Sequence, residues 1–101
     1  MSLKKVYSKT NGDCKVTFKL TKEIALSAAN VFLAGDFNGW DTESLPMKKL
    51  KSGEFSVSVE LEKGKEYQFK YLLDGWAWLN EKDADKHVPN EFQTENSVVT
   101  V

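Results

Sequence analysis

The stretch Tyr67-Gln68-Phe69-Lys70-Tyr71-Leu72-Leu73-Asp74-Gly75 decides the fold. Tyr67, Phe69, Tyr71 and Leu73 alternate with Gln68, Lys70 and Leu72. Side chains alternate across a strand, so the first set shares a core face and Lys70 and Leu72 point outward. Asp74-Gly75 then signals a turn, and its length places the two tryptophans that follow. A two-residue hairpin sets Trp76 and Trp78 opposite Leu73 and Tyr71, on the core face. A three-residue loop over Leu73-Asp74-Gly75 sets Trp76 opposite Leu72 and Trp78 opposite Lys70, facing outward. Strand geometry alone leaves both open.

The rest of the chain repeats this period of two. Cys14, Val16, Phe18 and Leu20 alternate with polar residues, as do Phe55, Val57, Val59 and Leu61. Asn30 to Ala34 is a short, mostly apolar strand, and Ser97 to Val101 is a final or edge strand. All six glycines fall at or beside turns, and Gly53, Gly64 and Gly75 recur at the interval of successive sandwich strands. Only Thr21 to Ala29 has room for a helix, or for an irregular crossover. The expected fold is all-β, a sandwich of about seven short strands. At 101 residues the chain is expected to form one domain over residues 1–101, with no cleft between domains.

Composition excludes several functions. The net charge is −1, and all 14 basic residues are lysine. Without arginine the chain lacks the forked donor suited to phosphate and guanine, so neither nucleic acid nor an anionic membrane is an expected partner. One cysteine allows no internal disulfide, and Cys14 is expected to fill core space. The first seven residues lack the apolar run of a signal peptide, and no stretch approaches the ~20 apolar residues of a membrane span. A soluble, cytoplasmic protein is the expectation.

Catalytic chemistry finds little to work with. His87 is the sole histidine and lies in the polar run Asp83 to Asn90. A nucleophile–histidine arrangement would need it, yet Cys14 is in mid-strand and no G-x-S-x-G elbow exists. Zinc needs several Cys or His ligands, and Glu81, Asp83 and Asp85 lack the spacing and glycine of a calcium loop. These acids read as a solvated loop. No enzyme activity, cofactor or metal is expected.

The tryptophans are more informative. Trp40 follows Asn38-Gly39, and Trp76 and Trp78 follow Asp74-Gly75. A tryptophan at a hairpin tip can offer its flat face to the C–H face of a sugar, while polar neighbours fix the hydroxyls.

The motifs carry a resemblance. Val31-Phe32-Leu33-Ala34-Gly35-Asp36-Phe37-Asn38-Gly39-Trp40 resembles the strand and G-x-F-N-x-W turn of glycogen-binding modules (carbohydrate-binding module family 48). That family includes the module of the AMP-activated protein kinase beta subunit and the early-set domains of isoamylases and glycogen branching enzymes. The segment from Tyr67 to Gly75 with Trp78, and the close Phe92-Gln93-Thr94-Glu95-Asn96-Ser97-Val98-Val99, are similar to its hairpin and last loop. The likeness runs from about Asn30 to Val101, and a stand-alone early-set protein is the form of nearest length.

The resemblance implies an immunoglobulin-like sandwich and non-catalytic binding of an α-1,4-glucan polymer or malto-oligosaccharide. It favours the outward reading of Trp78. It carries sugar contact to Trp40, Lys70, Trp78, Thr94 and Asn96, and to Phe92 at a position where the kinase module has leucine. Trp76 joins them through an extra residue before Trp78. Asp36 is expected to make a local turn bond. The alternative expectation is a protein-interaction or structural early-set domain, accessory to an α-glucan-processing enzyme, that does not bind sugar.

Overall fold

The computed structural model describes residues 3–9, 12–25, 28–91 and 94–101. Two antiparallel sheets stack face to face. The first has the order β1 (Leu3–Tyr7), β2 (Asp13–Leu20), β5 (Phe55–Glu62), β4 (Lys48–Lys49). The second has the order β3 (Val31–Gly35), β6 (Glu66–Leu73), β9 (Glu95–Thr100), β8 (Lys86–Pro89), with β7 (Ala77–Leu79) also on β6. Nine strands are thus present among the described residues, where the periodicity led to about seven.

The additional strands have a common physical reason for being hard to read. β4 and β7 are two and three residues long, too short to show a period. β8 lies in the polar run that reads as a loop, and it holds its place by pairing with β9 from Lys86↔Val98 to Pro89↔Glu95. β9 therefore lies between β6 and β8 and is no edge. The crossover before β3 contains one four-residue helix, α1 (Lys22–Ala25), closed by the Thr21 hydroxyl accepting from Ile24 N at 3.2 Å. Among the described residues no helix is long and apolar enough to cross a membrane.

The alternation seen in the sequence is the core. Cys14, Val16, Phe18 and Leu20 of β2 are buried, and so are Phe69, Tyr71 and Leu73 of β6. Phe18 meets the Phe69 ring edge-on with centroids 5.0 Å apart, and Phe69 meets Tyr71 in the same manner at 5.8 Å. Such pairs add about 0.5–1.5 kcal/mol each to what area burial contributes.

One acidic residue departs from the solvated loop read from the sequence. Glu81 is 1% exposed and accepts from the Tyr71 hydroxyl at 2.7 Å and from Asp83 N at 3.0 Å. Its own N–H donates to Ser97 Oγ at 2.8 Å. The carboxylate is tolerated because these donors replace the water it loses. Burial, and then the nearby Glu81 charge, push the Tyr71 hydroxyl well above its ordinary range, so it remains a donor. His87, in β8, holds the Glu81 carbonyl through Nε2 at 2.8 Å.

The two sheets are also tied by an ion pair at the sandwich margin. Lys5 of β1 reaches Asp85 at 2.7 Å, and Asp85 accepts from Thr100 N at 2.7 Å. Burial works against ionisation of Asp85, but Lys5 and the Thr100 N–H outweigh it and hold the carboxyl below its ordinary value. A lowered folded-state value contributes stability above the unfolded carboxyl pKa of about 3.9 and loses it as pH falls through the folded value. Acid titration of thermal stability in wild type and Asp85→Asn therefore gives a shallower loss below about pH 4 in the variant. Equal slopes would show that the pair contributes nothing.

Candidate functional site

The hairpin after β6 settles the alternatives that the sequence left open. Leu73 pairs with Ala77, Leu72 with Trp78 and Tyr71 with Leu79. Three residues, Asp74-Gly75-Trp76, form the loop, one position further along than Leu73-Asp74-Gly75. The odd loop length gives Trp78 the outward parity, opposite Leu72 where a loop over Leu73–Gly75 would have put Lys70. Asp74 enters the left-handed region at φ 54 and Gly75 follows at φ 81. The Asp74 carboxylate anchors the loop by accepting from Ala29 N at 2.8 Å and Asn30 N at 3.0 Å. Trp78 is left 48% exposed.

The outer face of β6 carries Gln68, Lys70 and Leu72. β9 pairs with Glu66 to Phe69 and β7 with Tyr71 to Leu73, while β3 holds the opposite edge. β6 therefore changes partner at Lys70, and the seam between β7 and β9 opens there. Two side chains fill it: Lys70 Nζ at 3.1 Å and Asn80 Nδ2 at 2.9 Å both donate to the Glu95 carbonyl.

Trp40 arrives from the other side. Where β3 ends, a single turn of 3₁₀ helix (Asp36–Asn38) follows Gly35. Asn38 fixes this turn, accepting from Gly35 N at 3.0 Å and donating to the Asp41 carbonyl and Ser44 Oγ, both at 3.0 Å. Asp36 does more than the local turn bond expected of it. Oδ2 accepts from Gln68 N at 2.8 Å, continuing the β3–β6 ladder past its last pair, and Oδ1 accepts from Trp40 Nε1 at 3.0 Å. Trp40 itself has φ 61, a conformation that costs a non-glycine residue about 1–3 kcal/mol unless its surroundings enforce it. Its N–H donates to the Gly35 carbonyl at 2.9 Å, so backbone and indole are held at once.

These elements line an open groove of about 810 Å³ bounded by Trp40, Gln68, Lys70, Trp78, Asn90, Glu91, Thr94 and Asn96. Five residues singled out in the sequence, Trp40, Lys70, Trp78, Thr94 and Asn96, come together here. Trp76 does not. It stands at the hairpin tip, 79% exposed and off the groove wall. Phe92 lies outside the described residues. Three groove residues escaped the sequence reading. Gln68 was within reach, since it shares the outward parity of Lys70. Asn90 and Glu91 gave no periodic signal, because the turn between β8 and β9 brings them in.

With the geometry in hand, comparison with known proteins is decisive. The family described as the glycogen recognition site of AMP-activated protein kinase matches residues 18–101. The chain belongs to that family. A relative from Arabidopsis thaliana, protein PTST homolog 2, chloroplastic, is 47% identical over 49 residues, or 48% of this chain and 9% of the relative. The chain thus spans under a tenth of that relative's length. Membership makes this a glycogen-recognition module, and the family match covers every groove residue named above.

Proposed function

We propose that the groove binds a single α-glucan chain, with Trp40 and Trp78 stacking on sugar faces and Lys70, Thr94 and Asn96 bonding to hydroxyls. The observation that carries this reading is the meeting of two tryptophans and a polar wall in one open groove. An aromatic ring covers the apolar C–H face of a glucose unit, and neighbouring donors and acceptors replace the water its oxygens lose. Phe92, which lies between Asn90 and Thr94 in the sequence, is proposed as a rim contact.

A few stacked rings at about 1 kcal/mol each, together with hydrogen bonds to the sugar hydroxyls, imply a dissociation constant between about 1 mM and about 1 μM. The reading is non-catalytic because, among the described residues, Glu91 is the one acid that lines the groove, whereas glycoside hydrolysis requires a facing pair. Any enzyme acting on the same glucan would then be brought near its substrate by this module.

The ligand is neutral, and screening weakens only interactions between charges. Calorimetric titration with maltoheptaose at about 50 mM and about 500 mM salt should give affinities within a factor of two. A steep fall with salt would show that charge, and not stacking and neutral hydrogen bonds, carries the affinity.

A further inference from the structure

We infer that Asn90 sets the donor–acceptor polarity of the stretch of groove wall formed by Thr94, Asn96 and Gln68, so that this stretch faces its ligand with N–H and O–H groups. The inference deepens the glucan reading and names the atoms read: sugar oxygens that accept, including ring and glycosidic oxygens, which carry no hydrogen and can only accept.

A backbone group fixes the direction of the first bond. Thr94 N–H can only donate, and it reaches the side-chain oxygen of Asn90 at 3.2 Å. The nitrogen of Asn90 must then turn the other way, where it donates to Thr94 Oγ1 at 2.8 Å and to Asn96 Oδ1 at 2.9 Å. Asn96, engaged through its oxygen, presents its nitrogen to Gln68 Oε1 at 3.0 Å. Gln68, engaged through its oxygen, keeps its NH2 unbonded among the described residues. One backbone N–H therefore orients three amides in series.

The consequence is a row of donors along Gln68, Asn96 and Thr94, in a groove where Glu91 is the one acid among the described lining residues. Thr94 accepts from Asn90 and so retains its O–H to give. Asn96 retains its second N–H, Gln68 its NH2, and Lys70 the ammonium hydrogens not given to the Glu95 carbonyl. Reversing the chain would turn carbonyl oxygens toward the sugar's own lone pairs. Asn90 also clasps the turn between β8 and β9, its N–H donating to the Thr94 carbonyl at 3.0 Å. It acts through Thr94 and Asn96 as a positioning residue.

Asn90→Asp tests this with almost no change of shape. Aspartate still accepts from Thr94 N–H, but it offers Asn96 an oxygen where a nitrogen stood. Asn96 must turn over, Gln68 follows, and the Gln68 carbonyl then faces the groove. Gln68→Glu changes the last member alone, keeping the acceptor for Asn96 and replacing the outward NH2 by oxygen. Each variant is expected to bind maltoheptaose about tenfold or more weakly, at low and high salt alike.

A side-chain NMR readout stands apart from binding. The Gln68 NH2 protons exchange freely with water in wild type and become protected in Asn90→Asp. Wild-type affinity in a folded Asn90→Asp protein overturns the inference, as does unchanged Gln68 exchange. Should Asn90→Asp not fold, wild-type affinity in Gln68→Glu overturns it. If wild type itself binds no α-glucan, the proposed function falls, and the exchange experiment still decides the polarity of the wall.

Discussion

Trp78→Ala should weaken maltoheptaose binding by about thirtyfold, which corresponds to the roughly 2 kcal/mol lost when a central aromatic anchor is truncated. The unfolding midpoint should barely move. Trp78 is 48% exposed on the outer face of its sheet, so truncation opens no core cavity. The same experiment at Trp40 needs a different substitution. Trp40 sits at φ 61, where alanine keeps the strain and loses the indole bond to Asp36. Trp40→Gly loses that bond as well but suits the left-handed backbone, so it removes the ring without retaining the strain. Trp76→Ala is the internal control, since that ring stands off the groove and its loss should leave affinity within a factor of two. A thirtyfold loss there, with none at Trp78, would move the binding surface to the hairpin tip.

The second large effect concerns stability. Gly35→Ala should destabilise the protein by about 1–3 kcal/mol or more, lowering the unfolding midpoint by about 4–8 °C per kcal/mol. Gly35 has φ −174, an extended value open to any residue, so backbone freedom does not explain the glycine. Space does. An added Cβ would lie 2.5 Å from the Gln68 carbonyl oxygen, 2.8 Å from Phe69 Cβ and 2.9 Å from Phe37 Cζ. Two of these neighbours belong to β6, the central strand of its sheet, and cannot swing aside as a flexible side chain would. Relief would require β6 to shift from β3 at the point where Asp36 captures Gln68 N and aims Trp40. Glucan affinity should therefore fall together with stability, unlike in Trp78→Ala. A Gly35→Ala protein with wild-type thermal stability would show that β3 and β6 are packed less closely than this.

The sandwich was legible wherever burial falls on one face of a long strand. β2, β5 and β6 each run eight residues, enough for period-two alternation to stand out, and their apolar positions are the core. β1, β4 and β8 were not legible, and β7 only as the return arm of a hairpin. They are short or polar, and tertiary pairing holds them in place where their own pattern does not. The burial of Glu81 was hidden for a related reason. Its donors, Tyr71 and Asp83 N, meet it only after β6 and the β7–β8 connection fold together.

The candidate site shows the same division. Lys70 and the parity of Gln68 follow from one strand's alternation. The orientation of Trp78 hung on a single residue of loop length, which strand geometry could not supply and the motif resemblance did favour. Asn90 and Glu91 were beyond reach, because they enter through a turn whose closure is a long-range event. The fold and the tryptophans were thus readable, while the amide chain that orients the polar wall was not.

The central claim is that a groove floored by Trp40 and Trp78 selects α-linked glucose chains. Intrinsic tryptophan fluorescence tests it most directly, titrated with maltoheptaose and β-cyclodextrin and, as the β-linked control, with cellohexaose. A saturable change with both α-linked sugars, absent with cellohexaose and moved to about thirtyfold higher sugar concentration in Trp78→Ala, is the predicted result. No change up to millimolar α-glucan, or an equal response to the β-linked chain, would contradict it.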